Sequence, residues 1–296
     1  MISGKDTRLY MRTPRIGHPA QGMDIWQDLA FMLYDTGLCA IFDLKSKQER
    51  PLALFPLGSY NPGEPSREYL NHANSCMFSK LHWQENPIPL LYAVIGTGID
   101  GDQDGYYYRC AVENIRKLES GRYKAETLQT ISYQPGQEEA FGWEKPCWGC
   151  PAFFVDSEQN ALYIFSARYR TKRDCVPEGK NNAFVITRFD LPDPALGGLV
   201  RLTARDIRDQ FAVESSVQFT QGGQLRDGKI YYTFGCPGAG YPNRILVFDL
   251  EKRAVIREIG DLDEAMHREE MECCAFYEGM LLCNTSAGSI FQLNEE

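Results

Sequence analysis

Short apolar stretches, separated by glycine, asparagine and aspartate turns, recur along the whole chain. The segments 38–44, 161–166 and 244–250 are typical, since each is rich in aromatic and β-branched residues. Stretches of this length bounded by turn residues predict β-strands. Only 204–211 and 262–268 have a helical pattern, and we expect both to form short helices in connections. The pattern therefore predicts an all-β protein.

One combination of a short strand, a tight turn and a second strand occurs repeatedly. The segment 21–31 aligns without a gap on 221–231, an offset of 200 residues, and a third copy at 272–282 follows 51 residues later. Two further units have longer connections, with second strands that begin near residues 90 and 161. Fourth strands are predicted at 128–133 and 257–259. Self-similarity of this kind is typical of repeat architectures, so five comparable units are expected.

Four antiparallel strands repeated radially form the blades of a β-propeller. The fifth unit ends at Glu296, just after its third strand. We expect Arg8–Arg12 to provide the missing outer strand, because this would close the ring and cover an exposed strand edge. The alternative is that residues 5–15 form a loose tail. The prediction is a single five-bladed β-propeller domain over residues 1–296.

With these units, the chain resembles the five-bladed β-propeller superfamily. That architecture includes lectins of the tachylectin type and glycosidases of the arabinanase, levansucrase and invertase types. The Gln-Gly pairs at 21–22 and 221–222 and the segment 71–75 resemble uncharacterised propeller proteins of gut bacteria. The resemblance implies the fold and suggests carbohydrate binding or glycoside processing. It transfers no catalytic residue, because fold analogy alone does not assign a function.

Charge and composition narrow the possible partners. The chain has 31 basic and 40 acidic residues, a formal net charge of -9. This charge opposes binding to a phosphate backbone, so no nucleic acid partner is expected. No apolar run approaches the roughly 18 residues of a membrane span. Residues 1–6 do not form a signal peptide, so the cytoplasm is the default location unless a secreted protein was trimmed.

The repeat predicts a ring of polar side chains where each blade begins its innermost strand. A small residue follows each of these positions and allows the strands to crowd the axis. We expect the ring to bind a small polar ligand at one mouth of the central channel. The alternative is that these side chains bind water and one another and close the channel. The predicted ligand-binding residues are Gln21, His72, Asn74, Trp148, Gln221 and Glu272.

Hydrolysis of a glycoside requires two carboxyl groups, roughly 5–5.5 Å apart for retention or 6.5–9.5 Å for inversion. Glu272 is one candidate, with Asp24 or Glu270 as its partner and His72 as a possible acid or base. Nothing in the spacing selects a pair, and for Asp24 a turn or strand-end role is favoured over a catalytic one.

Two further motifs suggest metal or redox chemistry. Asp100, Asp102 and Asp104, followed by Gly105, match the first half of a calcium-binding loop, but the closing acid is absent. An acidic hairpin tip is the alternative. Cys147 and Cys150 have C-x-x-C spacing without a following helix or a second cysteine pair, so we expect a structural role. The ten cysteines show no disulfide-framework spacing and are predicted to be reduced and buried.

These patterns predict a binding protein without catalytic turnover. The ligand is a carbohydrate-like or other polar molecule at the channel mouth, or a partner protein on the loop-rich face. The alternative is a glycoside hydrolase-like enzyme that uses a carboxylate pair near the axis. No cofactor is expected apart from the possible calcium ion.

Overall fold

In the computed structural model, the chain forms five small sheets around a common axis. The structure describes residues 7–60, 71–95, 108–133, 148–168, 183–215, 217 and 219–293. The innermost strands of neighbouring sheets contact one another in a closed ring. The predicted all-β, five-bladed propeller is therefore confirmed.

Each blade consists of four antiparallel strands, and the chain runs through the blades in order. The chain begins with β1 (Thr7–Arg12). Blade one contains β2 (Ala20–Trp26), β3 (Leu29–Tyr34), β4 (Leu38–Asp43) and β5 (Ala53–Pro56). Blade two contains β6 (Cys76–Phe78), β7 (Leu91–Val94), β8 (Tyr108–Lys117) and β9 (Tyr123–Tyr133).

The second half of the chain completes the ring. Blade three contains β10 (Trp148–Asp156), β11 (Ala161–Arg168), β12 (Ala183–Asp190) and, after β13 (Gly198–Leu202), β14 (Ile207–Glu214). Blade four contains β15 (Thr220–Arg226), β16 (Lys229–Cys236), β17 (Tyr241–Asp249) and β18 (Ala254–Ile259). Blade five contains β19 (Met271–Tyr277), β20 (Met280–Thr285) and β21 (Ser289–Leu293). The predicted fourth strands at 128–133 and 257–259 lie within β9 and β18.

The N-terminal strand closes the ring as expected from the sequence. β1 pairs antiparallel with β21, with Thr7 opposite Leu293 and Arg12 opposite Ser289. The guanidinium group of Arg8 donates two hydrogen bonds to Gln292 Oε1, at 3.1 and 3.0 Å. Blade five thus receives its outer strand from the opposite end of the chain, which covers the edge of β21.

The two predicted helices are wrong, because the described part of the chain contains no α-helix. Residues 204–206 form one 3-10 turn, capped by Thr203 and Asp206. The residues that follow form β14, which pairs with β12 as the outer strand of blade three. Residues 262–268 form consecutive turns that bury Leu262 and Met266. The apolar residues were recognised correctly, but the period assigned to them was wrong.

One strand has no counterpart in the repeat. β13 lies in the connection between the last two strands of blade three, yet it pairs parallel to β9 of blade two. It therefore covers the outer edge of the neighbouring blade. Gln129 reinforces this contact, because its Nε2 donates to the backbone oxygen of Asp193 at 2.8 Å.

Neighbouring blades enclose separate hydrophobic cores. Between blades three and four, the rings of Phe165 and Tyr232 stack with centroids 4.0 Å apart, and Phe248 meets Phe165 edge-on at 5.0 Å. Aromatic rings provide large buried areas at such a junction. Because each blade has a core on both faces, the ring is held together by packing between sheets.

Small residues allow the innermost strands to crowd the axis, as the sequence predicted. A Cβ atom on Gly222 would lie 2.7 Å from Asn74 O and 2.9 Å from Cys273 Sγ. A Cβ atom on Gly22 would lie 2.8 Å from Ala73 O. Strands from blades one, two, four and five therefore approach one another more closely than any side chain at these positions would permit.

We expect Gly222→Ala to lower the free energy of unfolding by about 2 kcal/mol, because the methyl group meets fixed backbone atoms in a packed centre. Gly238→Ala is a matched control, since a Cβ atom there has open space around it. Urea denaturation of both variants measures the difference. Equal stability of the two variants would contradict this description of the axis.

Candidate functional site

A repeated irregularity begins three of the innermost strands at the same end of the channel. In β2, residues 21 and 22 bulge between the pairs Ala20–Tyr34 and Met23–Met32. β15 repeats this bulge at residues 221 and 222. In β19, the single residue Glu272 bulges between the pairs Met271–Thr285 and Cys273–Asn284. Such β-bulges redirect side chains. Gln21, Gln221 and Glu272 thus lie at the same end of the ring of innermost strands, which we call the mouth.

Side chains of the second strands and of one loop hold these bulges in place. Asn284 Nδ2 donates to Gln21 O at 2.7 Å, and Thr233 Oγ1 donates to Glu272 O at 2.8 Å. Asn74 Nδ2 reaches from blade two to Gln221 O at 3.4 Å. Each hydrogen bond connects different blades, so the geometry of the mouth depends on the closed ring.

Gln221 and Glu270 form a polar contact at the mouth. Gln221 Nε2 donates to Glu270 Oε1 and to Gly235 O, both at 2.9 Å. The side chain of Gln221 is thereby oriented by blade four and by the segment that precedes β19. Glu270, named in the sequence as a possible catalytic partner, lies beside this amide.

Glu272 is a buried carboxyl group among other acids. It is 3% exposed. Burial raises the pKa of Glu272 well above its usual range, and the nearby carboxylates of Glu270 and Asp35 raise it further. The protonated form of Glu272 is therefore favoured more strongly than that of an exposed glutamate. A neutral carboxyl group can donate one hydrogen bond as well as accept others.

His72 and Asp35 form a pair at the rim of the mouth. His72 Nδ1 lies 2.7 Å from Asp35 Oδ1, and both side chains are 29% exposed. The backbone next to them is fixed, because Thr36 N donates to Asn71 O at 2.6 Å and Gly22 N donates to Ala73 O at 2.8 Å. The loop before β6 is thus joined to blade one.

Several buried acceptor atoms near the mouth have no hydrogen-bond donor among the described residues. They belong to side chains that are otherwise held in place by their amide nitrogens or their backbone. Buried polar groups normally have partners, and those without one call for an explanation. A ligand or ordered water would satisfy them. These atoms are Gln21 Oε1, Asn71 Oδ1, Asn74 Oδ1 and Asn284 Oδ1.

Asp24 lies deeper and joins strands across the axis. Its Oδ1 accepts from Ile25 N and Gln224 Nε2, both at 2.7 Å, and its Oδ2 accepts from Phe78 N at 2.6 Å. Gln224 Oε1 in turn accepts from Phe276 N at 2.8 Å. This network connects β2, β6, β15 and β19. Asp24 therefore occupies the packed centre, and we assign it a structural role.

The depth of Asp24 separates it from Glu272. Asp24 is three positions after Gln21, roughly 10 Å along an extended chain. Burial raises the pKa of Asp24 to about 7, while its three hydrogen-bond donors act in the opposite direction. The sequence named Asp24 and Glu270 as possible catalytic partners of Glu272. Glu270 and Asp35 lie close enough to Glu272 to raise its pKa, whereas Asp24 is held by Gln224 and the strand backbones.

Other sequence predictions fall outside the described residues or are described only in part. Trp148 begins β10 and pairs with Ala167, but its side chain lies outside the described atoms. Asp100, Asp102 and Asp104, the predicted calcium ligands, and Cys147 also lie outside the described residues. Within the ranges that are described, no group of three or more potential ligands is placed to hold a metal ion.

The described cysteines agree with the prediction of reduced thiols. All seven are free, and six are buried. Cys273 lies at the axis, where its Sγ is 3.6 Å from Met23 O. Burial raises the pKa of Cys273, so it behaves as a small packing residue and not as a nucleophile.

Sequence analysis missed two residues of the mouth, Asp35 and Asn284. Asn284 ends an apolar run in β20, and Thr233 holds the equivalent position in β16. A polar residue within an apolar second strand was the available signal. Nothing in the sequence distinguishes Asp35, because it resembles an ordinary turn residue after β3.

Comparisons with known proteins provide information on the fold. No protein-family model matches the chain, and a search of curated proteins finds no match. Among solved structures, the chain is similar to the glutaminyl cyclase of Myxococcus xanthus, with a TM-score of 0.51 and 12% identity. The match covers 97% of this chain and 95% of that one. The likeness is one of fold.

A second solved structure is less similar. The computationally designed Ika8 protein matches with a TM-score of 0.32 and 10% identity, over 93% of this chain and 71% of that one. The described part of the chain also lacks any helix long and apolar enough to cross a membrane.

Proposed function

We propose that the channel mouth binds a small polar ligand rich in hydrogen-bond donors, such as a carbohydrate. The observation that carries the proposal is the set of buried acceptor oxygens without donors, above all Gln21 Oε1 and Asn74 Oδ1. Leaving such atoms unpaired costs free energy. Hydroxyl or amine groups of a ligand would satisfy them.

The acidic side chains at the mouth restrict which ligands can bind there, according to the charge of the ligand. Asp35 and Glu270 lie close enough to Glu272 to raise the pKa of its carboxyl group. A negatively charged ligand would add a further repulsive charge at the same place. Neutral or amine-bearing sugars therefore fit the site, and sugar acids do not.

Binding without turnover is the simplest function of this arrangement. The mouth is built on bulges held between blades, which suits a rigid set of hydrogen-bonding groups. Below it, Asp24 and Gln224 join strands across the axis, so the ligand would enter from one side only. A partner protein on the same face becomes the better hypothesis if no small ligand binds.

A glycan array with neutral, amino-bearing and acidic sugars tests the proposal, followed by calorimetric titration of the strongest ligand. We expect Gln21→Met to weaken that ligand at least about tenfold, since one acceptor of a buried hydrogen bond is worth about 1.4 kcal/mol. Gln48→Met, at an exposed position, should bind as the unmodified protein does.

Two results would overturn the proposal. One is the absence of any sugar ligand on the array at millimolar concentration. The other is a preference for acidic sugars that Gln21→Met leaves unchanged, because this would show that the ligand does not contact the acceptors of the mouth.

The second candidate is an enzyme with acid and base groups at the mouth. Glu272, whose pKa is raised, lies near a second carboxyl group, that of Glu270. Pairs of acids in different environments are typical of general acid and base catalysis. The alternative of a glycoside hydrolase-like enzyme is proposed on this basis. The structurally similar glutaminyl cyclase adds a peptide with an N-terminal glutamine to the substrates worth testing.

A hydrolysis screen of the array ligands and the glutaminyl peptide distinguishes the two candidates. An enzyme should lose turnover in Glu272→Gln and still bind its substrate, whereas a binding protein should show no turnover in either form. Turnover that persists in Glu272→Gln would exclude the catalytic role of this residue.

A further inference from the structure

A groove between blades three and four contains an arginine, Arg188, that forms no ion pair with the described residues. The groove has a volume of about 350 Å³ and is lined by Tyr163, Ile186, Arg188, Phe211, Leu250 and Glu251, among others. Turns at 157–160 and 250–253 border it. These turns lie at the ends of the blades opposite the channel mouth, so the groove is separate from the site described above.

The position of Arg188 follows from the alternation of β12. Phe184, Ile186 and Arg188 point to the same face of the strand, toward blade four. Phe184 and Ile186 are buried in the core between the two blades. Arg188 continues this row at its outer end, where the core opens into the groove.

The acidic neighbour of Arg188 already pairs with another arginine. Asp209 lies directly opposite Arg188 in the pairing of β12 with β14. Both oxygens of Asp209 accept hydrogen bonds from Arg253 of blade four, at 3.0 and 2.9 Å. Such a two-point contact between guanidinium and carboxylate groups is strong and directional. Asp209 is thus engaged by the neighbouring blade.

The guanidinium group of Arg188 is consequently left without a partner. Its Nε is buried and has no acceptor among the described residues, and the ion pairs formed by these residues do not include Arg188. A buried donor without an acceptor is costly, more so when it carries charge. Arginine presents a planar set of donors that matches a carboxylate group.

The rest of the lining combines the polar Gln159, Asp209 and Glu251 with apolar and aromatic side chains. Tyr163 and Phe211 are 7% and 9% exposed, so each contributes a small aromatic surface next to Arg188. The acids in the lining are Asp209, which Arg253 engages, and Glu251. A second negative charge on the ligand, as on a phosphate group, would be repelled by Glu251.

We propose that this groove is a second ligand site, specific for a small monocarboxylate with an apolar body. The carboxylate group pairs with the guanidinium group of Arg188. The apolar body packs against Phe211 and Leu250. No covalent step is involved, and the site does not depend on the ligand proposed for the channel mouth.

Benzoate is a suitable probe, with benzamide as its neutral counterpart and with acetate and phosphate as anions that lack an apolar body. The side-chain Nε–H signal of Arg188 in nitrogen-15 spectra and the melting temperature are followed at constant ionic strength. Benzoate should shift the signal and raise the melting temperature in a saturable way. Benzamide, acetate and phosphate should have much weaker effects.

Arg188→Gln should reduce benzoate affinity at least tenfold, because the charge-assisted contact is lost. Arg205→Gln is the matched control, since it removes the same charge at an exposed turn. Arg188→Lys retains the charge without the planar donors and should bind severalfold more weakly. Gln21→Met should leave benzoate binding unchanged, which separates this site from the channel mouth.

The proposal is overturned if benzoate leaves the Nε–H signal of Arg188 unchanged at tens of millimolar. It is also overturned if Arg188→Gln binds benzoate as tightly as Arg205→Gln does. Equal affinity for benzoate and benzamide would contradict the role of the charge, and equal affinity for benzoate and acetate would contradict the role of the apolar lining.

Discussion

Replacement of Asp24 by alanine is expected to lower the free energy of unfolding by about 3 kcal/mol, because three buried donors lose their acceptor. These donors are Ile25 N, Phe78 N and Gln224 Nε2, which belong to three different innermost strands. The loss falls on the axis, where a water molecule has little room. Urea denaturation at pH 6, where most of the carboxyl group carries a proton, measures it.

Asp28→Ala is the matched control for this experiment. Asp28 follows the end of the same strand, but its carboxylate pairs with Lys45 at the surface and its side chain is 39% exposed. Exposed ion pairs contribute little, so this change should be much smaller. Equal losses in the two variants would show that Asp24 does not hold the strands together.

Replacement of Glu272 by glutamine is expected to stabilise the protein at pH 8, by up to about 1.4 kcal/mol for each pH unit between the unfolded-state and the folded-state pKa of the carboxyl group. At this pH the buried carboxyl group either carries an unfavourable charge or has to bind a proton, and both cost free energy. The neutral amide of glutamine has neither cost. Groups that destabilise a fold in this way are typical of functional sites.

The direction of the pH dependence follows from the raised pKa of Glu272 in the folded state. The folded protein binds this proton more tightly than the unfolded chain, whose glutamates titrate near pH 4.3. The cost is absent below that pH and grows as pH rises toward the folded-state pKa. Stability of the unmodified protein should therefore fall as pH rises above about 4.3, and Glu272→Gln should reduce this slope.

Asp24 contributes a slope of the same sign, because its folded-state pKa of about 7 also lies above the unfolded value. The slope should consequently be reduced in Glu272→Gln and not abolished. Glu119→Gln, at an exposed turn, should retain the full slope. A Glu272→Gln protein that is less stable than the unmodified protein at pH 8 would show that the carboxylate form is favoured at the mouth.

The repeat in the sequence predicted the architecture correctly because its positions recur in equivalent places of the structure. Gln21 and Gln221 are 200 residues apart and occupy the same bulge of β2 and β15. The closure by Arg8–Arg12 followed from the missing strand of blade five. Local turn and strand signals are strong enough for such predictions, because each blade is built from neighbouring segments.

The prediction was wrong where two periodic patterns competed. Residues 207–211 have apolar positions that fit either a short helix or a half-buried strand. The free edge of β12 decided between them, because pairing with it satisfies the backbone of 207–214. β13 was missed for a related reason, since its partner β9 belongs to the preceding blade and no local signal indicates that contact.

For the site, the sequence could indicate positions along the chain but not the contacts between their side chains. Trp148 is placed at the start of β10 by the backbone alone, and Asn74 and Gln221 are joined by a hydrogen bond across the axis. The participation of Asp35 and Asn284 could not be inferred, because it depends on which loops meet when the ring closes. The raised pKa of Glu272 likewise results from burial that several blades produce together.

The sequence by itself determined the number of modules, the order of most of their strands and the residues that begin the innermost strands, because these features follow from local periodicity and turn chemistry. The tertiary structure alone decided which groups face each other. It assigned Asp24 to the packed axis, surrounded Glu272 with acids and left Arg188 without a partner. These outcomes depend on contacts between distant blades, and pairing and burial across the ring are not encoded by any single segment.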